Sequence, residues 1–165
     1  KDTPAVKELW NRGIGSVNRI RLGATMSHEF YRPVEMDVEI LSKHNGVFLG
    51  EGPSGRGNPH DCGRVVTVRW KNVDIVICEA ISFPGDLQLY RHFGVEPTFY
   101  DLVTVKACTS FRVAYEPIAS DICETDTPGT APINLKLLNY RRLPKSFLPF
   151  SDISGYKIPE PAALR

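Results

Sequence analysis

No apolar run in this sequence approaches the roughly 20 residues that a helix needs to cross a bilayer. The opening Lys-Asp-Thr-Pro also lacks the basic-then-apolar order of a secretory leader. No membrane partner and a cytoplasmic location are therefore expected. Cysteine is sparse: four residues, at 62, 78, 108 and 123, with no C-x-x-C pair, do not make a disulfide framework. Cys78 and Cys123 read as strand positions, where a free thiol behaves as a small hydrophobe. Histidine is scattered over 28, 44, 60 and 92, and the nearest metal-like grouping is His60-Asp61-Cys62. Consecutive side chains diverge, so three in a row rarely converge on one ion. No metal and no cofactor are expected within this segment. Charge of one sign is missing too: 20 basic against 19 acidic residues leave +1. That balance argues against nucleic acid as a partner, and Arg141, Arg142 and Lys145 read as a solvated edge. The chain has no initiator methionine and opens beside a helix start, so a fragment of a longer protein is expected.

What is present fits a globular chain of 165 residues, with 42% hydrophobic and 24% charged residues. One domain spanning 1–165 is expected. Asp2 or Thr3 can cap a first helix, with Pro4 in its first turn, Ala5, Leu9 and Trp10 as its apolar stripe and Gly13 at its end. Residues 16–22 make a fair strand, and 34–41 a better one: Val34, Met36, Val38 and Ile40 alternate with Glu35, Asp37 and Glu39. Asn45-Gly46 then predicts a hairpin with Val47-Phe48-Leu49 as the return. A glycine- and proline-rich loop, 50–63, precedes a second hairpin, 64–70 and 73–79, around Lys71-Asn72. Ile75, Val76 and Ile77 run without a break, which suggests a strand covered on both faces. Asp86 can cap a short helix closed by Gly94. The strand-like 102–105, the helical 110–119 and the strand-like 121–125 predict a C-terminal β–α–β unit. Prolines 128, 132, 144, 149, 159 and 161 imply an extended proline-rich tail over 127–165. The fold class is thus mixed α/β, with a mixed sheet built from antiparallel hairpins and the crossover.

Gly50-Glu-Gly52-Pro-Ser-Gly55 satisfies G-x-G-x-x-G literally, but that motif needs a following helix to receive a pyrophosphate. Pro53 and the Arg56-Gly-Asn-Pro-His-Asp sequence deny it one, and Arg56-Gly57 replaces the Lys-Ser/Thr of a phosphate loop. Nucleotide binding is rejected. A loop with Gly55 and Gly57 flanking one guanidinium remains, in which Arg56 could present a forked donor to a carboxylate or another domain. Beside it stands the plain reading of a long connection between hairpins. A second candidate follows Val105. Lys106 falls at the end of an expected parallel strand, and the N–H groups opening the next helix, with Thr109 and Ser110, would add positive partial charge. Its plain alternative is that Thr109 or Ser110 caps the helix while Lys106 points to water. Cys108 precedes that helix, but no histidine stands near it in sequence, so a structural thiol is expected.

Several of these segments together resemble the C-terminal domain of the MlrC (microcystinase C) family. They are Gly52-Pro-Ser-Gly-Arg-Gly57, Gly63-Arg64, Phe83-Pro-Gly-Asp86, Val105-Lys106 and Phe111-Arg-Val-Ala-Tyr-Glu-Pro-Ile-Ala119. Asp126-Thr-Pro-Gly129, Leu138-Asn-Tyr-Arg-Arg-Leu143 and the segment 144–149 continue the likeness, and 2–22 resembles the family's preceding helix and strand. The resemblance implies the non-metal half of a zinc-dependent peptidase or amide hydrolase. Zinc would sit in an N-terminal domain of the same protein, and that domain and a peptide or amide substrate would be the partners. On this reading Arg56, Lys106, Gly55, Gly57, Thr109 and Ser110 are the substrate-binding candidates. Catalytic residues within the segment and homo-oligomerisation are left open. One departure stands out. The family commonly shows Lys-Ser-x-x-His-Phe where this chain has Lys106-Ala-Cys-Thr-Ser-Phe111. Ser110 for histidine motivates the alternative of a non-catalytic binding or assembly module.

Overall fold

A computed structural model describes residues 1–25, 31–53, 55–107, 109–125, 134–135 and 138–142. The chain divides into two compact units, Lys1–Glu124 and Thr125–Arg165. The first holds every strand and helix described below. In the second, the described residues carry two local turns, Leu138 N to Leu135 O and Tyr140 N to Leu138 O, each 3.1 Å. Most of the expected tail, 126–133, 136–137 and 143–165, lies outside the described residues. The same is true of His28 and Cys108.

The first unit is built on a four-stranded antiparallel sheet. Its strands are β1 (Val17–Leu22), β2 (Val34–His44), β5 (Val65–Trp70) and β6 (Val73–Cys78), in the order β1-β2-β5-β6. Helix α1 (Thr3–Trp10) lies on one face. Its Ala5, Val6 and Leu9 pack with Ile20, Met36, Val38, Ile40, Val66, Val68 and Ile77, and Trp10 lies against the same core. The period-two alternation of β2 supplies three of these residues, which is what aims them at one face. A register shift between Ile40 and Ser42 then changes how β2 meets β5. Beyond it a second core gathers Phe48, Cys62, Val65, Cys78, Leu89 and Phe93. Val65 through Val68, Thr67 included, are all buried because the two cores claim alternate side chains of β5. Covering on both faces thus belongs most fully to β5, whereas Ile75 and Val76 of β6 are half-buried.

Asp2 fixes the start of the helix and its place on the sheet together. One carboxylate oxygen accepts from Ala5 N (3.2 Å) and the other from Gly23 N (2.8 Å). Its own N–H donates to Cys78 O at 2.9 Å, so the cap also meets the outer edge of β6 at its C-terminal end. The hairpin around Lys71-Asn72 forms as expected, with Trp70 opposite Val73 and Lys71 at φ 55.

Three expectations need correction. Asn45-Gly46 does not join a β2–β3 hairpin: β3 (Val47–Leu49) pairs with β4 (Pro59–Asp61) in a separate two-stranded sheet. At its Ser42–His44 end β2 pairs with β5, which takes the place a hairpin return would need on that edge. At Gly46 (φ +80) the chain instead crosses the 62–63 backbone so closely that a Cβ would lie 1.6 Å from Gly63 O. Second, the C-terminal β–α–β unit is not formed. Every strand pairing among the described residues is antiparallel, and neither 102–105 nor 121–125 is a strand. Asp2 occupies the outer edge of β6 at Cys78, and side chains rather than a ladder hold 100–104. Tyr100 Oη bonds Asp74 Oδ2 at 2.5 Å, and Tyr90 Oη donates to Thr104 O at 2.7 Å. In 121–125 no apolar face exists to bury, Cys123 is exposed, and Glu124 is committed to an ion pair with Arg112. Third, the 110–119 helix shrinks to α3 (Arg112–Tyr115) with flanking turns. What the structure shows is a mixed α/β fold of antiparallel sheets followed by short helices.

Candidate functional site: the glycine loop and its aromatic wall

The glycine loop is organised around an anion, but the anion is internal. Asp86 is 2% exposed, and its Oδ2 accepts from Glu51 N (3.0 Å) and Gly52 N (2.8 Å). Its Oδ1 accepts from Gln88 N at 2.9 Å, which opens the short helix α2 (Gln88–Arg91). The sequence assigns Asp86 the helix-capping role alone. In fact one carboxylate staples the helix start to the loop, and Gln88 Nε2 to Glu51 Oε2 (2.6 Å) repeats the link at the surface. A Cβ on Gly52 would lie 3.1 Å from Asp86 Oδ2, so the approach depends on glycine there. The N–H groups of Glu51 and Gly52 are therefore spent on this internal carboxylate.

The rest of the loop is closed by its own backbone. Gly57 N donates to Gly50 O (2.8 Å), Gly50 N to Asn58 O (3.0 Å) and Gly55 N to Gly52 O (3.1 Å). Arg56 is thereby held out at the tip, exposed. Its Nε reaches Glu51 O at 3.4 Å, and no carboxylate pairs with it among the described residues. Gly55 is buried and Gly57 exposed.

Behind Gly55 stands His60, whose ring stacks on Phe48 (5.1 Å, 22°) and on Phe83 (5.8 Å, 8°). Its Nε2 is buried without a hydrogen-bond partner and would lie 3.3 Å from a Cβ on Gly55. Phe83 in turn crowds Gly85, and a Cβ there would meet Phe83 Cζ at 3.0 Å and Ser110 Oγ at 3.2 Å. Gly55 and Ser110 are thus the flanks of one wall, His60–Phe83–Gly85. Tyr115 Oη donates to Pro84 O at 3.0 Å and binds α3 to the same segment. Burial, followed by the nearness of Tyr90 and Asp86, raises the Tyr115 phenol above its ordinary range, and burial does the same to Tyr90. Both phenols are donors that tie down backbone.

Lys106, Thr109 and Ser110 are exposed, with no ion pair to Lys106 among the described residues. The parallel strand and long helix expected to frame Lys106 are absent. The start of α3 has no side-chain cap, and Thr109 contributes its carbonyl, to Arg112 N at 3.2 Å. No hydrogen bond or ion pair joins Arg56 to Lys106. His60, Phe83 and the loop-facing role of Asp86 were missed as a wall by local reading, although Phe83-Pro-Gly-Asp86 is among the family-like segments. Among the described residues no three His, Cys, Asp or Glu side chains are grouped to hold a metal. His60-Asp61-Cys62 shows why: His60 is in the aromatic stack, Asp61 caps Gly63 N at 2.8 Å, and Cys62 is in the second core. Hydrogen bonding to the Cys78 thiol, then burial, raises the Cys62 thiol, as suits a packed residue.

Residues 1–142 match the family model described as "MlrC C-terminus". The chain belongs to the MlrC C-terminal domain family. Its fold is similar to part of a crystal structure from Mesorhizobium sp. BNC1 titled "Putative metallopeptidase". The TM-score is 0.80 and the identity 21%, over 92% of this chain. The chain spans 30% of that structure's chain. No curated protein matches. Within this MlrC-type domain, no helix among the described residues is long and apolar enough to cross a membrane.

Proposed function

We propose that this MlrC-type domain is the C-terminal part of a zinc-dependent peptidase or amide hydrolase, cytoplasmic, in which it shapes the substrate pocket or the domain interface. The observation that carries the reading is the family match over residues 1–142, in a family described by its C-terminus. The similar fold within a much longer chain titled a metallopeptidase supports it. In this reading the metal belongs to the N-terminal part of the longer protein. Zinc there would polarise the scissile carbonyl and activate water. This domain would contribute the loop tip with Arg56, the segment 106–110 with Lys106, Thr109 and Ser110, and the glycines 55 and 57 that let the backbone approach closely.

The test is to prepare the longer protein with and without this domain, and to measure zinc content and hydrolysis of a peptide and amide panel. Retained zinc with lost or redirected hydrolysis is expected on deletion. Full activity without the domain would overturn the proposal. A second reading, a non-catalytic binding or assembly module, draws on Ser110 standing where the family commonly has histidine. Under it the longer protein binds its ligand but turns nothing over.

A further inference from the structure

Two free thiols meet inside the second core. Cys62 is 1% and Cys78 3% exposed, and both lie in the core that holds Val65 and Phe93. The backbone brings them together. Cys78 stands opposite Val65 in the β5–β6 ladder. Beyond it the consecutive N–H groups of Glu79 and Ala80 donate to Arg64 O (2.9 Å) and Cys62 O (2.7 Å), skipping Gly63 at φ 62. The skipped residue sets Cys62 on the face shared by Val65 and Cys78, as a diagonal neighbour across the strands. The two thiols are hydrogen-bonded to each other, and the Ser82 side chain bonds the Cys78 sulfur. Hydrogen bonding from Cys62 draws the Cys78 thiol below its ordinary range, with burial opposing it, while the Cys62 thiol is raised. Thiolate character thus gathers on one sulfur and the proton on the other, the division between an attacking and a resolving cysteine.

We infer that Cys62 and Cys78 form a redox modification site that closes to a disulfide when a peroxide reaches the pair. The Cys78 thiolate attacks one peroxide oxygen; the O–O bond breaks, a sulfenic acid forms on Cys78, and the departing hydroxide takes a proton to leave as water. The Cys62 sulfur then attacks the Cys78 sulfur. An S–S bond forms, the S–O bond breaks, and the hydroxide leaves with the Cys62 proton as a second water. The thiols lose the electron pair that the O–O bond takes up. Cys78 is the last residue of β6, and the turn after it has Ile81 80% exposed, so a molecule as small as hydrogen peroxide needs only a local opening there. The bond would act on the aromatic wall. β4, with His60, runs into Cys62, and Phe83, on which His60 stacks, follows shortly after Cys78. Closing the ring 62–78 would therefore clamp together the two segments that carry the stack.

The experiment treats the folded 165-residue chain with stoichiometric hydrogen peroxide, blocks the remaining thiols, and maps the digest by mass spectrometry. A peptide joining Cys62 to Cys78 is expected, with a melting temperature higher by about 5–10 °C that falls back on reduction with dithiothreitol. Cys62→Ser should leave a sulfenic acid on Cys78 that dimedone traps, whereas Cys78→Ser should leave Cys62 unlabelled. Neither variant should gain stability from peroxide. If a serine variant fails to fold, the crosslinked peptide from the unaltered chain still decides. No such peptide from the folded chain, or one that forms only in urea, would overturn the inference. So would dimedone labelling of Cys62 in place of Cys78, or a crosslinked chain that melts no higher than the reduced one.

Discussion

Replacing Asp86 with alanine would orphan three backbone donors at once, the N–H groups of Glu51, Gly52 and Gln88. A hydrogen bond to a charged group contributes about 1.5–3 kcal/mol, and a buried donor left unpaired costs a similar amount. Glu51 is exposed, so its N–H can turn to water. Gly52 and Gln88 are half-buried and recover less. Counting those two in full and Glu51 in part gives a loss of about 4–7 kcal/mol. That is a large share of the roughly 5–15 kcal/mol typical of a domain. Asp86→Asn keeps the shape and one good acceptor, so it should lose about half as much. Urea unfolding at constant m-value measures both, and amide exchange at 51, 52 and 88 locates the effect. A loss below about 1 kcal/mol for Asp86→Ala, with exchange at 51 and 52 unchanged, would refute the view that this carboxylate organises the loop.

Asp2→Ala should cost about 1–2 kcal/mol by removing the α1 cap and the bond to Gly23 N, read as a lower thermal midpoint. Stability should also fall with acid because burial, and secondarily the charge of His92, lower the His44 pKa below its usual value near 6.5. The unfolded chain then takes up the proton first. The His44 contribution is present in full above about pH 6.5 and is lost as pH falls through the lower folded value. His44→Phe should flatten the urea-midpoint profile in that window, and an unchanged slope would count against burial as the cause. Lower still, Glu79, held down to about 2 by the hydrogen bonds from Arg64, should protect the β5–β6 end until strongly acid pH. Arg64→Met should move acid unfolding, followed by circular dichroism, to higher pH.

Elements whose chemistry is local were legible in the sequence. The Asp2 cap with Pro4 behind it, the alternation of β2 and the two-residue turn at Lys71-Asn72 each need only neighbours in the chain. Asn45-Gly46 has the right turn residues, but pairing is settled by tertiary partners: β5 pairs with the end of β2 and β4 with β3. Leu102–Val105 has strand composition, yet side-chain bonds from Tyr100 to Asp74 and from Tyr90 to Thr104 O, rather than a ladder, hold this region. The candidate site divides the same way. Arg56 and Lys106 stand out as cations in unusual loops, whereas the wall between their segments is made by His60, Phe83 and Asp86. Nothing local says that an aspartate capping one helix also receives the amides of a loop 34 residues away. The family-like Phe83-Pro-Gly-Asp86 segment is the signal that could have pointed there.

The most direct test of the central claim, that this domain handles substrate for chemistry performed elsewhere, is the kcat/KM of the longer protein carrying Lys106→Ala, measured beside its zinc content and melting temperature. Loss of one charge-assisted contact to substrate predicts a drop of about ten- to hundred-fold, with metal and stability unchanged. Unaltered kinetics in a fully folded, zinc-loaded variant would contradict the account.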